Sequence, residues 1–257
     1  MNDMLFEDRQ RKIIELLERQ GSVKVNNLAN YLGVSKVTVR KHLDLLSKQI
    51  PITRVRGGAI SSTRGTSYEP IYYEKSTKNL EIKKRIGSFA ASIIQNGETI
   101  MLDSGSTTWH VAFCLLGRSE LTVVTSDIKI ALLLADSSKI EVYQAGGKVR
   151  PHLFSIIGRS AEEFIKSFYV DKLFLGADAI DIEHGITNAN AEEAYLKQEM
   201  IRSAKEVIIV TDSSKFNKVS LAHVCDFSRI NHVITDKNIP KEYKSLLFEK
   251  NIKLSLV

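Results

Sequence analysis

The run Asp103-Ser104-Gly105-Ser106-Thr107-Thr108 has the residue types of a phosphate cradle. Small residues let backbone amides close on an anion, and the hydroxyls add donors. The run follows a strand-like stretch at 99–102 and opens a helical pattern at 107–116, so the positive end of a helix would face the anion. Asp103 can accept a hydrogen bond from a sugar hydroxyl. The loop therefore suits a phosphorylated polyol or sugar. It is not a nucleotide P-loop, because the Gly-Lys-Ser/Thr ending is absent. A Ser/Thr/Gly run alone is more often a plain turn; its place between a strand and a helix favours the cradle.

Four further segments carry groups suited to the same pocket. Gly146-Gly147-Lys148-Val149-Arg150-Pro151 ends a strand-like run and brings two cations. Gly176-Ala177-Asp178 ends another, and Asp212-Ser213-Ser214-Lys215 follows the apolar run 207–210. Glu193 and Lys197 stand four apart on a helical pattern. All but this pair fall at the carboxyl ends of strands, where open parallel sheets bind ligands. Two plainer readings stay open: Glu193 and Lys197 as an exposed helical ion pair, and Lys148 as a solvated loop charge. The six histidines (42, 110, 152, 184, 223, 232) form no ligand-spaced cluster with Cys or Asp, so neither a metal nor a cofactor is expected. Cys114 and Cys225 lie far apart and read as buried free thiols of a reducing compartment.

The second kind of chemistry is polyanion binding. Residues 1–60 hold eleven Lys and Arg against six Asp and Glu, whereas the 257-residue chain holds 36 against 30. The excess positive charge thus sits almost wholly in the first sixty residues, a basic module on a near-neutral body. Within it, two short helical patterns are joined by Gly33-Val34-Ser35, and the second is followed by Arg54-Val55-Arg56-Gly57-Gly58-Ala59. A helix-turn-helix places the start of its second helix in the major groove of duplex DNA. Ser35, Lys36, Thr38, Arg40, Lys41 and His42 are the candidates there, with Lys36 and Lys41 suited to phosphates and Arg40 to a guanine edge. Arg54 and Arg56 flank a turn in which Gly57 and Gly58 let the backbone lie close to the duplex. A helical protein-interaction domain with a solvated basic face is the alternative, which the combined turn, N-cap and wing disfavour.

The elements that must hold these groups follow from periodicity. Residues 7–20 form an amphipathic helix with Ile13, Ile14, Leu16 and Leu17 on its apolar side, ended by Gly21. A short helix at 25–32 buries Leu28, Ala29 and Leu32; Ser35 then caps a helix to about 48 that buries Val39, Leu43 and Leu46. Pro51 stops it, and 52–60 reads as two short strands. The stretch 61–67 is small and polar, a linker, and 68–79 reads as a connector packed on the second domain. From residue 80 helices (82–94, 107–116, 128–135, 161–167, 191–204) alternate with strands (99–102, 121–124, 140–143, 172–175, 207–210, 232–234, 252–254). That alternation is the pattern of an α/β, mostly parallel sheet buried on both faces. The division is a winged helix at 1–60, a linker at 61–76 and an α/β domain at 77–257. No repeat or low-complexity tract is present. The acidic start, Met1-Asn2-Asp3-Met4-Leu5-Phe6-Glu7-Asp8, is no signal peptide, and no apolar run reaches the roughly 18 residues of a membrane span. A cytoplasmic protein with no membrane contact is expected.

With these motifs in view, almost the whole chain resembles the DeoR family of bacterial transcriptional regulators. Val34-Ser35, Thr38-Val39-Arg40 and Arg54-Val55-Arg56-Gly57-Gly58-Ala59 match its N-terminal hallmark. Lys41-His42-Leu43 departs from the usual arginine-aspartate-leucine, and Gln49-Ile50-Pro51 from a usual glycine before the wing. The later segments resemble the family's sensor domain, which is similar to ribose-5-phosphate isomerase. That resemblance implies a phosphosugar effector, with the loop 103–108 on the phosphate side and Arg150, Asp178, Lys197 and Lys215 near the effector. It implies a repressor of a carbohydrate operon that binds double-stranded operator DNA as a homodimer or homotetramer and is released by a phosphorylated sugar or sugar acid. An isomerase with a DNA-binding appendage is the alternative. The isomerase pattern, however, has an acid straight after Gly-Ala-Asp and a later lysine-glycine run, and both are missing here. No enzyme activity is therefore expected.

Overall fold

The computed structural model describes residues 5–20, 22–50, 52–61 and 65–257; Gly21, Pro51 and part of the linker read at 61–67 lie outside them. The chain divides into two compact units, Met1–Gly65 and Thr66–Val257.

The first unit is a winged helix. Helices α1 (Phe6–Gln20), α2 (Val25–Leu32) and α3 (Lys36–Gln49) carry the helical part, with strand β1 (Ser22–Lys24) between the first two. Gly33 closes α2 in the left-handed region at φ 66°, and the Ser35 side chain then accepts from the Thr38 amide to start α3. Ile13, Leu17, Leu28, Leu32, Val39, Leu43 and Leu46 meet in one core. The wing is β2 (Ile52–Val55) and β3 (Gly58–Ser61), and β3 pairs on its other side with β1. That third strand was not legible in the sequence, because three residues carry no period. It explains Gly58: Lys24 lies opposite it, and a Cβ there would overlap the Val23 carbonyl oxygen. Gly58 is thus required by the close approach of β1, while Gly57, at φ 89°, makes the turn.

The second unit opens with α4 (Tyr72–Thr77) and α5 (Leu80–Ser92). It continues with β4 (Thr99–Leu102), α6 (Ser106–Phe113), β5 (Leu121–Thr125), α7 (Ile128–Ala135) and β6 (Ile140–Gln144). A two-stranded ribbon, β7 (Lys148–Val149) with β8 (Ile156–Ile157), precedes α8 (Arg159–Lys166) and β9 (Val170–Leu175). Then come β10 (Ala179–Asp181), β11 (Gly185–Asn188), α9 (Ala191–Arg202), β12 (Ala204–Val210), β13 (Ala222–Cys225), β14 (His232–Thr235), α10 (Lys241–Glu249) and β15 (Lys253–Leu256). Seven strands form a parallel sheet in the order β15-β14-β12-β9-β4-β5-β6, and β10, β11 and β13 form a small antiparallel sheet.

Both faces of the large sheet are covered. In β4, Met101 joins the core cluster shared with α8, α9 and α10, while Ile100 and Leu102 join the cluster shared with α5, α6 and α7. This alternation is what a doubly covered parallel sheet requires. The chain runs from β4 outward to β6, then returns to the other side of β4 as β9. The switch point therefore lies between β4 and β9, and a crevice opens there at their carboxyl ends.

Several expectations change. Residues 66–76 are no free linker: the Leu221 amide donates to the Thr66 carbonyl, and the Tyr72 amide to that of His152. The helix expected to 204 stops at Arg202, because Ala204 already pairs with Val170 in the sheet. Cys114, at the solvent end of α6, is exposed; only Cys225 is buried. Helix α10 and the small antiparallel sheet were not anticipated. Among the described residues, no helix is long and apolar enough to cross a membrane.

Replacing Gly58 by Ala should destabilise the first unit by about 2 kcal/mol, since β1 must shift to admit the methyl group. Loss of amide-exchange protection in α3 and β3, with α9 and β12 unchanged, is the expected readout.

Candidate functional site

The crevice is built around a buried ion pair. Asp103 follows β4 and Lys197 projects from α9; their side chains meet at 2.6 Å and both are almost fully buried. The same carboxylate accepts from the Gly176 amide at 3.0 Å, and the same ammonium donates to the Gly176 carbonyl at 2.9 Å. A Cβ on Gly176 would crowd Asp103 at 3.3 Å. Burial alone would lower the Lys197 ammonium; Asp103, Glu193 and Asp178 together hold it above the ordinary lysine value.

A second network adjoins the first. Asp178, after β9, accepts from Lys75 of α4 at 3.1 Å and from the Ala189 amide at 3.2 Å. Burial works against its charge, but Lys75, Lys215 and Lys197 keep the carboxyl well below the usual range. Lys75 also reaches Glu69 at 2.7 Å, and Arg150 bridges Glu69, at 2.5 Å, and Glu193. Burial, then the Glu69 charge, pushes Glu193 up to about 7.

The loop after β4 closes the site. Its Ser106 hydroxyl donates to the Lys75 carbonyl at 3.3 Å, and Thr108 folds back on the Gly105 carbonyl at 2.9 Å. The N-cap, Gly105, provides no side-chain acceptor, so the first-turn amides of α6 are left for another acceptor. Ser104 turns instead to Asp127, at 2.8 Å. Asp127 caps α7 through the Lys129 and Ile130 amides, and burial raises it to about 6. Next to this loop, Lys83 of α5 is buried against the Lys75 carbonyl, and burial lowers it to about 8. Asp212 accepts from Asn79 at 2.8 Å and from the Ser214 amide at 3.0 Å. The Lys215 ammonium, brought down by burial and by Lys75 with Asp178 opposing, has no hydrogen bond or ion pair among the described residues. No group of three potential metal-binding side chains occurs among them either.

In the first unit, Lys36, Arg40, Lys41 and Arg56 are exposed on α3 and the wing turn. Together with the sensor crevice, this arrangement agrees with two family matches. Residues 9–64 match the DeoR-like helix-turn-helix domain and residues 78–237 the DeoR C-terminal sensor domain.

The chain belongs to the DeoR family.

Its relatives within that family include a putative aga operon transcriptional repressor of Escherichia coli O157:H7, 37% identical over 97% of this chain and 93% of the relative. The repressor GlcR of Bacillus subtilis is 34% identical over 98% and 96%. The glycerol-3-phosphate regulon repressor of Escherichia coli K12 is 31% identical over 96% and 98%. Likeness to solved structures is weaker. Ribose-5-phosphate isomerase A of Methanocaldococcus jannaschii gives a TM-score of 0.40 at 15% identity, over 54% of this chain and 55% of that one.

Asp103, Ser106, Arg150, Asp178, Lys197 and Lys215 are among the expected effector residues at the crevice, with the loop 103–108 along it. Lys148 is not part of the network: it lies exposed on the ribbon and pairs with Glu192 at 3.1 Å, after the exposed turn Gly146-Gly147. Glu193 and Lys197 are no exposed helical pair, since each is buried and bound to a different partner. In the first unit three expectations are corrected. His42 is 1% exposed, accepts from Arg9 at 3.3 Å and packs on Phe6; burial, then Arg9, lowers its pKa, so it serves α1–α3 packing rather than a groove contact. Arg54 is tied to Asp44 of α3 at 2.8 Å and to the Gly58 carbonyl, which fixes the wing to the helix. Gly58 is buried and serves the close approach of β1 rather than of a duplex.

Sequence reasoning missed Glu69, Lys75, Lys83 and Asp127. Lys83 left a signal, a lysine three residues before Ile86 on the apolar face of α5. Glu69 and Lys75 left none, because their segment has no period.

Asp103→Ala should cost about 3 kcal/mol in urea unfolding, because Lys197 is left buried without its carboxylate; Asp103→Leu with Lys197→Met should cost less. A double variant worse than the single one would contradict this. Glu193 carries a different pH signature. Its folded pKa of about 7 lies above the ordinary carboxylate value, so the stability linked to it is full at low pH and is lost as pH rises through 7. Glu193→Gln cannot ionise, so its melting temperature relative to wild type should rise between about pH 5 and pH 7 and level off above that.

Proposed function

We propose that this DeoR-family member is a transcriptional repressor of a carbohydrate operon, released from operator DNA by a phosphorylated sugar or sugar acid. The observation that carries the reading is the crevice: cations from α4, α5, α9 and the segments after β7 and β12 converge there, and one of them, Lys215, has no counter-ion bonded to it among the described residues. Buried cations without full compensation favour an anionic ligand. The first-turn amides of α6 and the Ser106 and Thr107 hydroxyls would receive the phosphate, with Lys75 and Lys215 beside it. Asp103 is held by Lys197 and Gly176, so its role is to fix the loop; Asp178 and Asp212 line the same crevice and can take sugar hydroxyls. A relative named for the glycerol-3-phosphate regulon supports a small phosphorylated ligand.

On the DNA side, Arg40 and Lys41 would read and clamp the major groove, with Lys36 on phosphates and Arg56 at the wing tip. Operators with two half-sites call for a homodimer or homotetramer. Release requires that the effector bind the non-binding state more tightly than the DNA-bound state.

The test uses DNA selected by the full chain from a random library, read by fluorescence anisotropy with a panel of sugar phosphates. One member should weaken DNA binding. Arg40→Ala should weaken DNA binding roughly tenfold or more while effector binding, measured by calorimetry, persists. Lys215→Gln should keep DNA binding and raise the effector concentration needed for release by about tenfold. Absence of any sugar phosphate that alters DNA affinity would refute the reading.

A further inference from the structure

Glu69 is the fourth residue of the second unit, three positions after its first residue, Thr66. Between Thr66 and Tyr72 the segment has no helix or strand. Its carboxylate is 7% exposed and is shared by Arg150, at 2.5 Å, and Lys75, at 2.7 Å. Around these two cations stand three carboxylates, Glu69, Glu193 and Asp178. Arg150 and Lys75 are therefore already matched by carboxylates, and Glu193 is raised partly by the presence of Glu69. Lys75 is also joined to the loop after β4 through its own carbonyl and Ser106.

A phosphate dianion entering beside Lys75 has to compete with the carboxylates that already hold this cation. Like charges that share a buried site cannot all stay ionised without cost. Expelling Glu69 would leave Arg150 and Lys75 to the phosphate and relieve Glu193 at the same time. We propose that Glu69 is an internal stand-in for the ligand's phosphate: it holds Arg150 and Lys75 when the site is free of ligand, and anion binding displaces it together with the segment that leads from the first unit. This rests on the reading of the crevice as a phosphate site. It adds the element through which occupancy is felt at the unit boundary.

The experiment uses the full chain and inorganic phosphate as probe. Calorimetry should give at least a fivefold tighter phosphate affinity for Glu69→Gln than for wild type, since the neutral amide competes poorly for two cations. Amide exchange in wild type should accelerate at Tyr72 and Leu221, whose amides donate to the His152 and Thr66 carbonyls, in saturating phosphate compared with sodium chloride of equal ionic strength. Equal or weaker phosphate binding by Glu69→Gln, with wild type binding normally, overturns the stand-in role alone. If that variant does not fold, unchanged or slower exchange at Tyr72 and Leu221 in wild type overturns it. Failure of wild type to bind phosphate at all removes the phosphate-site reading and this inference with it.

Discussion

Keeping charge out of water is expensive, and the sensor unit is arranged around that cost. Asp103 and Lys197 sit almost fully buried where β4 and β9 part, and neither would be tolerable without the other. Their pairing is closed by both polar groups of Gly176, so the loop after β4, the end of β9 and the middle of α9 are fixed by one four-atom junction. Everything around it inherits the orientation. The loop 103–108 is aimed by it, and Asp178, two residues after Gly176, is carried into reach of Lys75.

The architecture was readable where burial imposes a period. The inner parallel strands carry apolar runs because both faces are covered, the edge strands β6 and β15 alternate, and all seven were found to within a few residues. The same rule hides elements whose burial is partial. β1, β7, β8 and β10 have two or three residues, too few to show alternation. The site was half legible for a related reason. Residues at strand ends announce themselves by following an apolar run, as Asp103, Asp178 and Lys215 do. Glu69 and Lys75 come from a stretch with neither period nor motif, and only the folded chain brings Lys75 103 positions across to Asp178.

The reading head shows how charge on a sequence can mislead. Arg54 and His42 both lie in basic, motif-like surroundings, yet one is spent on Asp44 and a carbonyl, and the other is an uncharged acceptor inside the core. The departure of His42 from the family's usual aspartate is therefore a matter of how α1 is held. The side chains that remain exposed along α3, among them Lys36, Val37, Arg40, Lys41 and Leu45, are the ones left for the proposed groove contact.

The position of the boundary at Thr66 has a practical side. A chimaera that grafts a foreign reading head onto this sensor has to splice ahead of Thr66, because residues 66–77 supply Glu69 and Lys75 to the crevice. Splicing at the end of the apparent linker, near residue 76, would import another protein's carboxylate and ammonium into a pocket whose charge was balanced for these two. Interchangeability in this architecture is thus limited by a short stretch that looks like tether but is inherited with the sensor.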